Sequence, residues 1–207
     1  MKPTHAVPDE LSRRNCGSLD VRLGAPLPPE FYNRDADIVA RELLGAVLRC
    51  ETPEGVTSGV VVETEAYLGP HDPACHAVAG RTARTWHLFG VPGIAYVYFI
   101  YGMHWCVNVV TREEGFGSAV LIRAIEPLEG VELMRTRRPK ARRDADLCNG
   151  PGKLCAAMGI TRALDGVSLQ TGALRLCAGE WVQQVEVGPR VGISRAVEWP
   201  LRFRGRR

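Results

Sequence analysis

Residues 60–67 read Val-Val-Val-Glu-Thr-Glu-Ala-Tyr, and no other stretch limits the possible folds as strongly. A β-branched run of this kind forms a strand whose side chains alternate between two faces. Alternation sets Glu63, Glu65 and Tyr67 on one face and Val62, Thr64 and Ala66 on the other. Carboxylates are uncommon inside strands, and a buried one must be paired, hydrogen-bonded or used. Two of them beside a tyrosine, at the end of an apolar strand, mark a candidate site. The competing reading is a pair of surface glutamates on an edge strand.

Around this strand the chain divides by its turn residues. Residues 1–27 are rich in Pro, Gly and charge without a period, and are expected to be a mobile leader before one domain spanning 28–207. A helix is expected to start near Asp35 or Asp37, with Ile38, Val39, Leu43, Leu44 and Val47 recurring on one face. Residues 52–55 form a turn. Residues 69–93 are a long irregular loop holding His71, His76, His87, Arg81 and Arg84, and loops of that length inside a domain are commonly functional. Strands follow at 94–100 and 105–110, joined by a hairpin through Tyr101-Gly102-Met103-His104, and another at 119–125 ends at Pro127. Residues 128–138 have helical spacing. Asn149 is the expected cap of a short helix that opens Gly150-Pro151-Gly152-Lys153 and stops at Gly159. Short apolar runs separated by Gly suggest further strands beyond it. Strands grouped centrally, without regular alternation with helices, predict a single α+β domain: a curved antiparallel sheet with flanking helices and a protruding β-hairpin.

Charge and cysteine usage narrow the function classes. Net charge is only +3, yet six of the nine residues 135–143 are basic and the C-terminus reads Arg-Phe-Arg-Gly-Arg-Arg. Such local clusters suit a polyanion-binding face; the competing readings are a solvated helix face and a loose tail. Seven scattered cysteines without a Cys-x-x-Cys pair are expected to be reduced core thiols. No apolar segment follows Met1-Lys2 and no apolar run is long enough to span a bilayer, so a cytoplasmic protein without membrane contact is expected. His71, Cys75 and His76 match no usual zinc spacing, and neither metal nor cofactor is expected.

Four groups of residues carry possible chemistry. Glu65 beside Tyr67 suits a general base that activates water, with Glu63 orienting it. Tyr96, Tyr98 and Tyr101 crowd one hairpin; Tyr98 offers a stacking face, while Tyr101 and Met103 at the tip are candidate wedges for a base stack. Asn108 and Arg123 interrupt apolar strands, and each therefore needs a partner, either protein or ligand. An Arg123–Glu65 pair across neighbouring strands would keep that carboxylate ionised. Backbone N–H groups at Gly152, together with Lys153, form a seat for phosphate.

These stretches resemble the alkyladenine (3-methyladenine) DNA glycosylase family, the single-domain type of animals and many bacteria. The matching segments are Val62-Glu63-Thr64-Glu65-Ala66-Tyr67-Leu68-Gly69-Pro70, Tyr96-Val97-Tyr98 with Tyr101-Gly102-Met103, Leu121-Ile122-Arg123-Ala124-Ile125-Glu126-Pro127 and Leu147-Cys148-Asn149-Gly150-Pro151-Gly152-Lys153-Leu154, in family order. The resemblance implies that Glu65 is the general base and that Arg123 helps hold it and the attacking water. It implies that Tyr67 and His76 enclose one side of a flipped base and Tyr98 the other, while Asn108 discriminates against normal guanine. Tyr101, with Met103 beside it, would fill the gap in the duplex, and Gly152, Lys153 and Arg84 would contact the DNA backbone.

The substrate so implied is duplex DNA containing damaged purines, with release of alkylated or deaminated bases and an abasic site left behind. Hydrogen bonds to neutral lesions are expected from the backbone near residues 74–76. Opening the backbone as well requires an amine nucleophile, and the chain has three lysines, none in the aromatic or carboxylate segments, so a monofunctional enzyme is expected; it is also expected to be a monomer. Departures from the family pattern fall at Ala83, Thr85 and His104, and Trp86 and His87 share that loop. Two other classes compete: a non-catalytic nucleic-acid-binding domain of the same fold, and a metal-dependent nuclease using Glu63, Glu65 and Asp72.

Overall fold

The structure is a computed structural model that describes residues 24–180, 182 and 184–206. Eight strands form one sheet: β1 (Val47–Thr52), β2 (Gly55–Tyr67), β3 (Ala95–Ile100), β4 (His104–Thr111), β5 (Ser118–Glu129), β6 (Leu174–Cys177), β7 (Gln184–Gly188) and β8 (Arg202–Arg206). Their order is β3-β4-β5-β2-β1-β6, with β8 added to β2 and β7 to β8. Every pairing is antiparallel. The central strand β2 changes partner along one edge, β1 from Gly55 to Val60 and β8 from Glu63 to Glu65, while β5 follows its other edge. A sheet whose middle strand feeds two successive neighbours curls, and the predicted α+β fold with a curved antiparallel sheet is the fold adopted.

Among the described residues four α-helices flank the sheet: α1 (Pro29–Tyr32), α2 (Ala36–Glu42), α3 (Val131–Arg137) and α4 (Pro151–Met158). The Thr64 hydroxyl donates to the Ala40 carbonyl at 2.7 Å, fastening α2 to the face of β2 opposite Glu63 and Glu65. Val39, Leu43, Val61, Val107, Ile122 and Leu154 are fully buried in the shared core, each contributing about 1.5–3 kcal/mol of apolar transfer energy. Six of the seven cysteines are described; all six are buried thiols without a disulfide. Among the described residues no helix is long and apolar enough to cross a membrane.

Several sequence expectations need correction. The helix expected to include Val47 ends at Glu42; Gly45, at φ 90°, turns the chain, and Val47 opens β1. Ile38 is 44% exposed, so it is no part of the buried face. The strand expected to end at Pro127 runs to Glu129; Pro127 sits opposite Gly59 beside a register irregularity, the kind of place where a strand tolerates proline. Asn149 does not cap α4; Gly150 occupies that position, and the Asn149 side chain accepts from Lys153 Nζ at 2.7 Å. Within the expected leader, Gly24 and Leu27 hydrogen-bond to Ala178 and Leu176 beside β6, while residues 1–23 lie outside the described residues.

The basic cluster is largely neutralised by the protein itself. Arg135 pairs with Glu132 and Asp144, Arg137 with Glu54, and Arg143 with Asp146; Arg138 donates to the carbonyls of Asp146 and Leu147. The C-terminal run forms β8, with Arg202 on Glu63 and Arg204 on Glu186. Among the described residues most arginines of both clusters are thus paired within the protein, although Arg135 and Arg143 keep half or more of their side-chain surface in solvent.

Candidate active site

The site grows from the end of β2. Register irregularities between β2 and β5 fall around Val61, Glu63 and Thr64. Bulges of this kind re-aim side chains, and here Arg123 of β5 spans both carboxylates. Its Nε donates to Glu63 Oε1 at 2.7 Å and its Nη1 lies 3.2 Å from Glu65 Oε2. Arg202 donates to the same Glu63 oxygen at 2.7 Å.

The two glutamates are not equivalent. Glu65 is 0% exposed and also accepts from the Tyr67 hydroxyl (3.0 Å) and the Val191 N–H (2.7 Å). Burial pushes its carboxyl above the usual range, against the downward pull of Arg123, Val191 and Tyr67. Glu63 keeps part of its solvent contact, and the hydrogen bonds from Arg202 and Arg123 overcome its desolvation and hold it below that range. Arg123 therefore does favour the charged form of Glu65, but desolvation outweighs it. A carboxylate whose charge the protein tolerates poorly is a better proton acceptor than an ordinary one.

Next to this carboxylate lies a cavity of about 550 Å³, lined among others by Tyr67, His76, Arg84, Tyr98 and Asn108, a volume typical of small-molecule sites. His76 Nδ1 meets the Tyr96 hydroxyl at 2.9 Å. Burial, and then the charge of Arg84, lower its pKa and keep the ring neutral at pH 7. The His76 and Tyr98 rings meet edge to face with centroids 4.6 Å apart. A base taken between them must part them, since each stacking contact needs comparable spacing. Asn108 donates from Nδ2 to the Tyr96 carbonyl at 3.0 Å, which orients its amide toward the cavity wall. Arg84 reaches across from the long loop, donating to the Phe99 carbonyl at 3.3 Å and lying 5.6 Å from the Tyr98 ring.

The remaining predicted residues lie outside the cavity. Tyr101 and Met103 crown the β3–β4 hairpin, 75% and 68% exposed. Tyr101 has φ 53° and Gly102 φ 67°; the turn requires positive φ at both, which a tyrosine adopts at a cost. Gly152 packs against His104, where a Cβ would stand 2.9 Å from the ring. The start of α4, with exposed Lys153, is thus brought beside the base of the hairpin.

Sequence reasoning missed the loop between β7 and β8. Val191 supplies the N–H to Glu65, and Gly192, Ile193, Ser194 and Arg195 close one side of the cavity. The contribution to Glu65 is a backbone group, which side-chain identity does not signal. The backbone donors expected at residues 74–76 are partly spent: the Ala74 N–H goes to Asp72 Oδ1 and the Cys75 N–H to the Asp72 carbonyl. Thr85 organises its own loop, donating to the Gly80 carbonyl, while His87 pairs with Asp165. Glu63, Glu65 and Asp72 are each engaged by arginine, and no set of three or more ligating side chains gathers among the described residues. This donor set does not fit the nuclease reading.

The chain belongs to the methylpurine-DNA glycosylase family, whose profile matches residues 30–207. It is a monofunctional DNA glycosylase of base excision repair. Among its relatives, a protein of Methanocella arvoryzae is 50% identical over 177 residues, covering 85% of this chain and 88% of its own. One from Rubrobacter xylanophilus is 53% identical over 164 residues, covering 78% and 84%. One from Myxococcus xanthus is 50% identical over 175 residues, covering 84% of each. All three carry the name "Putative 3-methyladenine DNA glycosylase".

Proposed function

We propose that this glycosylase removes alkylated and deaminated purines, of the 3-methyladenine, hypoxanthine and ethenoadenine class, from duplex DNA by flipping the nucleotide and hydrolysing its N-glycosidic bond. The observation that carries this reading is a fully buried Glu65 joined through Tyr67 to an aromatic cavity. Cleavage passes through an oxocarbenium-like sugar, so one carboxylate and a positioned water suffice when the leaving base is already activated. Glu65 takes the proton of that water as oxygen attacks C1′, and the bond to the base nitrogen breaks with its electron pair going to the base. A cationic alkylated purine leaves neutral, while a neutral purine such as hypoxanthine leaves with a proton taken up from solvent or with hydrogen bonds to its ring. Arg123 holds the carboxylate. Tyr67, His76 and Tyr98 enclose the base, and the Asn108 amide meets its edge. Tyr101 and Met103 fill the vacated stack, with Gly152, Lys153 and Arg84 against the phosphates. Residues 28–207 act as one domain, and as a monomer.

The direct test is incubation with duplexes carrying each lesion, in EDTA, scored for free base and alkali-labile sites. Release from at least one lesion is expected; release from none removes this reading and favours a non-catalytic DNA-binding domain.

Two further outcomes follow. The single-turnover rate requires ionised Glu65, so it rises with pH and levels off through a midpoint above the ordinary glutamate value of about 4.3; below the midpoint it falls about tenfold per pH unit. A rate independent of pH across that range contradicts Glu65 as the base. Tyr101→Ala, at an exposed tip, leaves thermal stability within about 0.5 kcal/mol but weakens lesion-duplex binding by about 1–3 kcal/mol, as loss of a stacked aromatic does. Anisotropy titration and a thermal melt check both parts.

A further inference from the structure

We infer that Arg190 and Asp72 form a buried clamp that sets the position of the Glu65 carboxylate, which makes Arg190 a positioning residue for base release. The inference rests on Glu65 being the general base. Both side chains are wholly removed from solvent. Arg190 Nη2 donates to Asp72 Oδ1 at 2.8 Å, and Nη1 donates to the other carboxylate oxygen and to the Ala66 carbonyl at 3.0 Å. Asp72 is fixed in turn by the N–H groups of Leu68 (3.1 Å) and Ala74 (3.0 Å). The guanidinium carbon lies 4.8 Å from the centre of the Tyr67 ring.

These contacts converge on one place. Ala66, between Glu65 and Tyr67, has its carbonyl held by Arg190 and its N–H bound to the Leu201 carbonyl at 2.8 Å. The loop between β7 and β8 is therefore tied to β2 at both ends. The residue after Arg190 gives its N–H to Glu65, and those that follow line the cavity. A buried ion pair adds little net stability, because desolvation offsets the attraction between the charges. What a planar guanidinium bound by a bidentate carboxylate does supply is direction. Arg190 Nε is buried without a hydrogen-bond partner, a cost consistent with aiming the two Nη groups.

The test uses full-length Arg190→Lys and the double variant Asp72→Leu/Arg190→Met. Lysine keeps the charge but cannot hold Asp72 and Ala66 together; the double variant removes the pair without leaving a lone buried charge, and its melting temperature reports the cost of freeing the Leu68 and Ala74 N–H groups from Asp72. Each is read for melting temperature, lesion-duplex binding and single-turnover release over about pH 5–9. We expect both to bind as wild type and to release base about 10²-fold more slowly, the cost typical of a displaced catalytic group. For Arg190→Lys the acid limb moves to higher pH, because Glu65 loses the Val191 donor. The other groups facing that carboxylate are unchanged: Arg123 on β5, Tyr67 on β2, Cys106 on β4, and Arg202 on β8 beside Glu63. Wild-type rates and pH profiles in variants that are folded overturn the clamp. So does a loss matched by the fraction of unfolded protein. Glu65→Gln is run in parallel: if it still releases base, the reading of Glu65 fails, whereas an inactive Glu65→Gln with two fully active clamp variants defeats only the clamp.

Discussion

Replacing Glu65 by glutamine is expected to lower single-turnover base release by about 10²–10⁴-fold, the contribution a positioned general base makes. Binding of a lesion duplex should persist. The amide keeps the shape of the carboxylate and an oxygen for the Val191 N–H or the Tyr67 hydroxyl. Stability should change little or rise. Burial raises the Glu65 pKa despite three groups that favour its charge, so the folded state favours the protonated form, and ionisation at neutral pH costs stability. Function is held there against stability. A variant that loses binding along with rate would show that Glu65 holds the site together rather than performing chemistry in it.

Arg123→Met is expected to act differently. Arg123 is 13% exposed in its side chain and pairs with both Glu63 and Glu65. Glu63 retains Arg202, whereas Glu65 is left buried without its cation. Removing one partner of a buried pair costs about 3–5 kcal/mol, which a denaturant melt would report. The Glu65 pKa should rise further, because the leading group that lowers it is gone. At a given pH a smaller share of the base is then ionised, and release is slower. As pH rises through the higher pKa, Arg123→Met regains part of its rate, while Glu65→Gln does not. A flat, low profile for Arg123→Met would place the guanidinium on the water or the sugar instead of on the carboxylate.

What the sequence disclosed, and what it concealed, follows from where each signal lies. β2 was legible because apolar residues and period-two alternation coincide, and Thr64 does face α2 while Glu63 and Glu65 share Arg123. The β3–β4 hairpin was legible from Gly102 and its flanking aromatics. β1 was not, because Val47 continued the apparent spacing of Ile38, Val39 and Leu43 across the break at Gly45. The basic cluster misled because pairing does not follow from composition: Glu54 meets Arg137 from 83 residues away, while Glu132, Asp144 and Asp146 meet Arg135 and Arg143 from within the same stretch of chain. Its charge was visible, but its neutralisation was not. Asp72 and Arg190 are 118 residues apart and lie in segments without periodicity; Asp72 stood out only as a possible metal ligand, and nothing in the sequence tied it to Arg190. The Val191 N–H is a backbone group and leaves no trace in composition.

With Glu65 as the base, the cavity beside it receives a flipped, damaged purine whose sugar carbon faces that carboxylate. The most direct measurement is a crystal structure of the Glu65→Gln variant with a duplex carrying hypoxanthine. The base is expected between Tyr98 and the Tyr67–His76 side of the cavity, the His76 and Tyr98 rings having separated from their 4.6 Å contact. Tyr101 should occupy the gap in the stack, with C1′ turned toward the substituted side chain. A hypoxanthine still stacked in the duplex, or an extruded base lodged outside the cavity, would mean that this cavity does not receive the lesion.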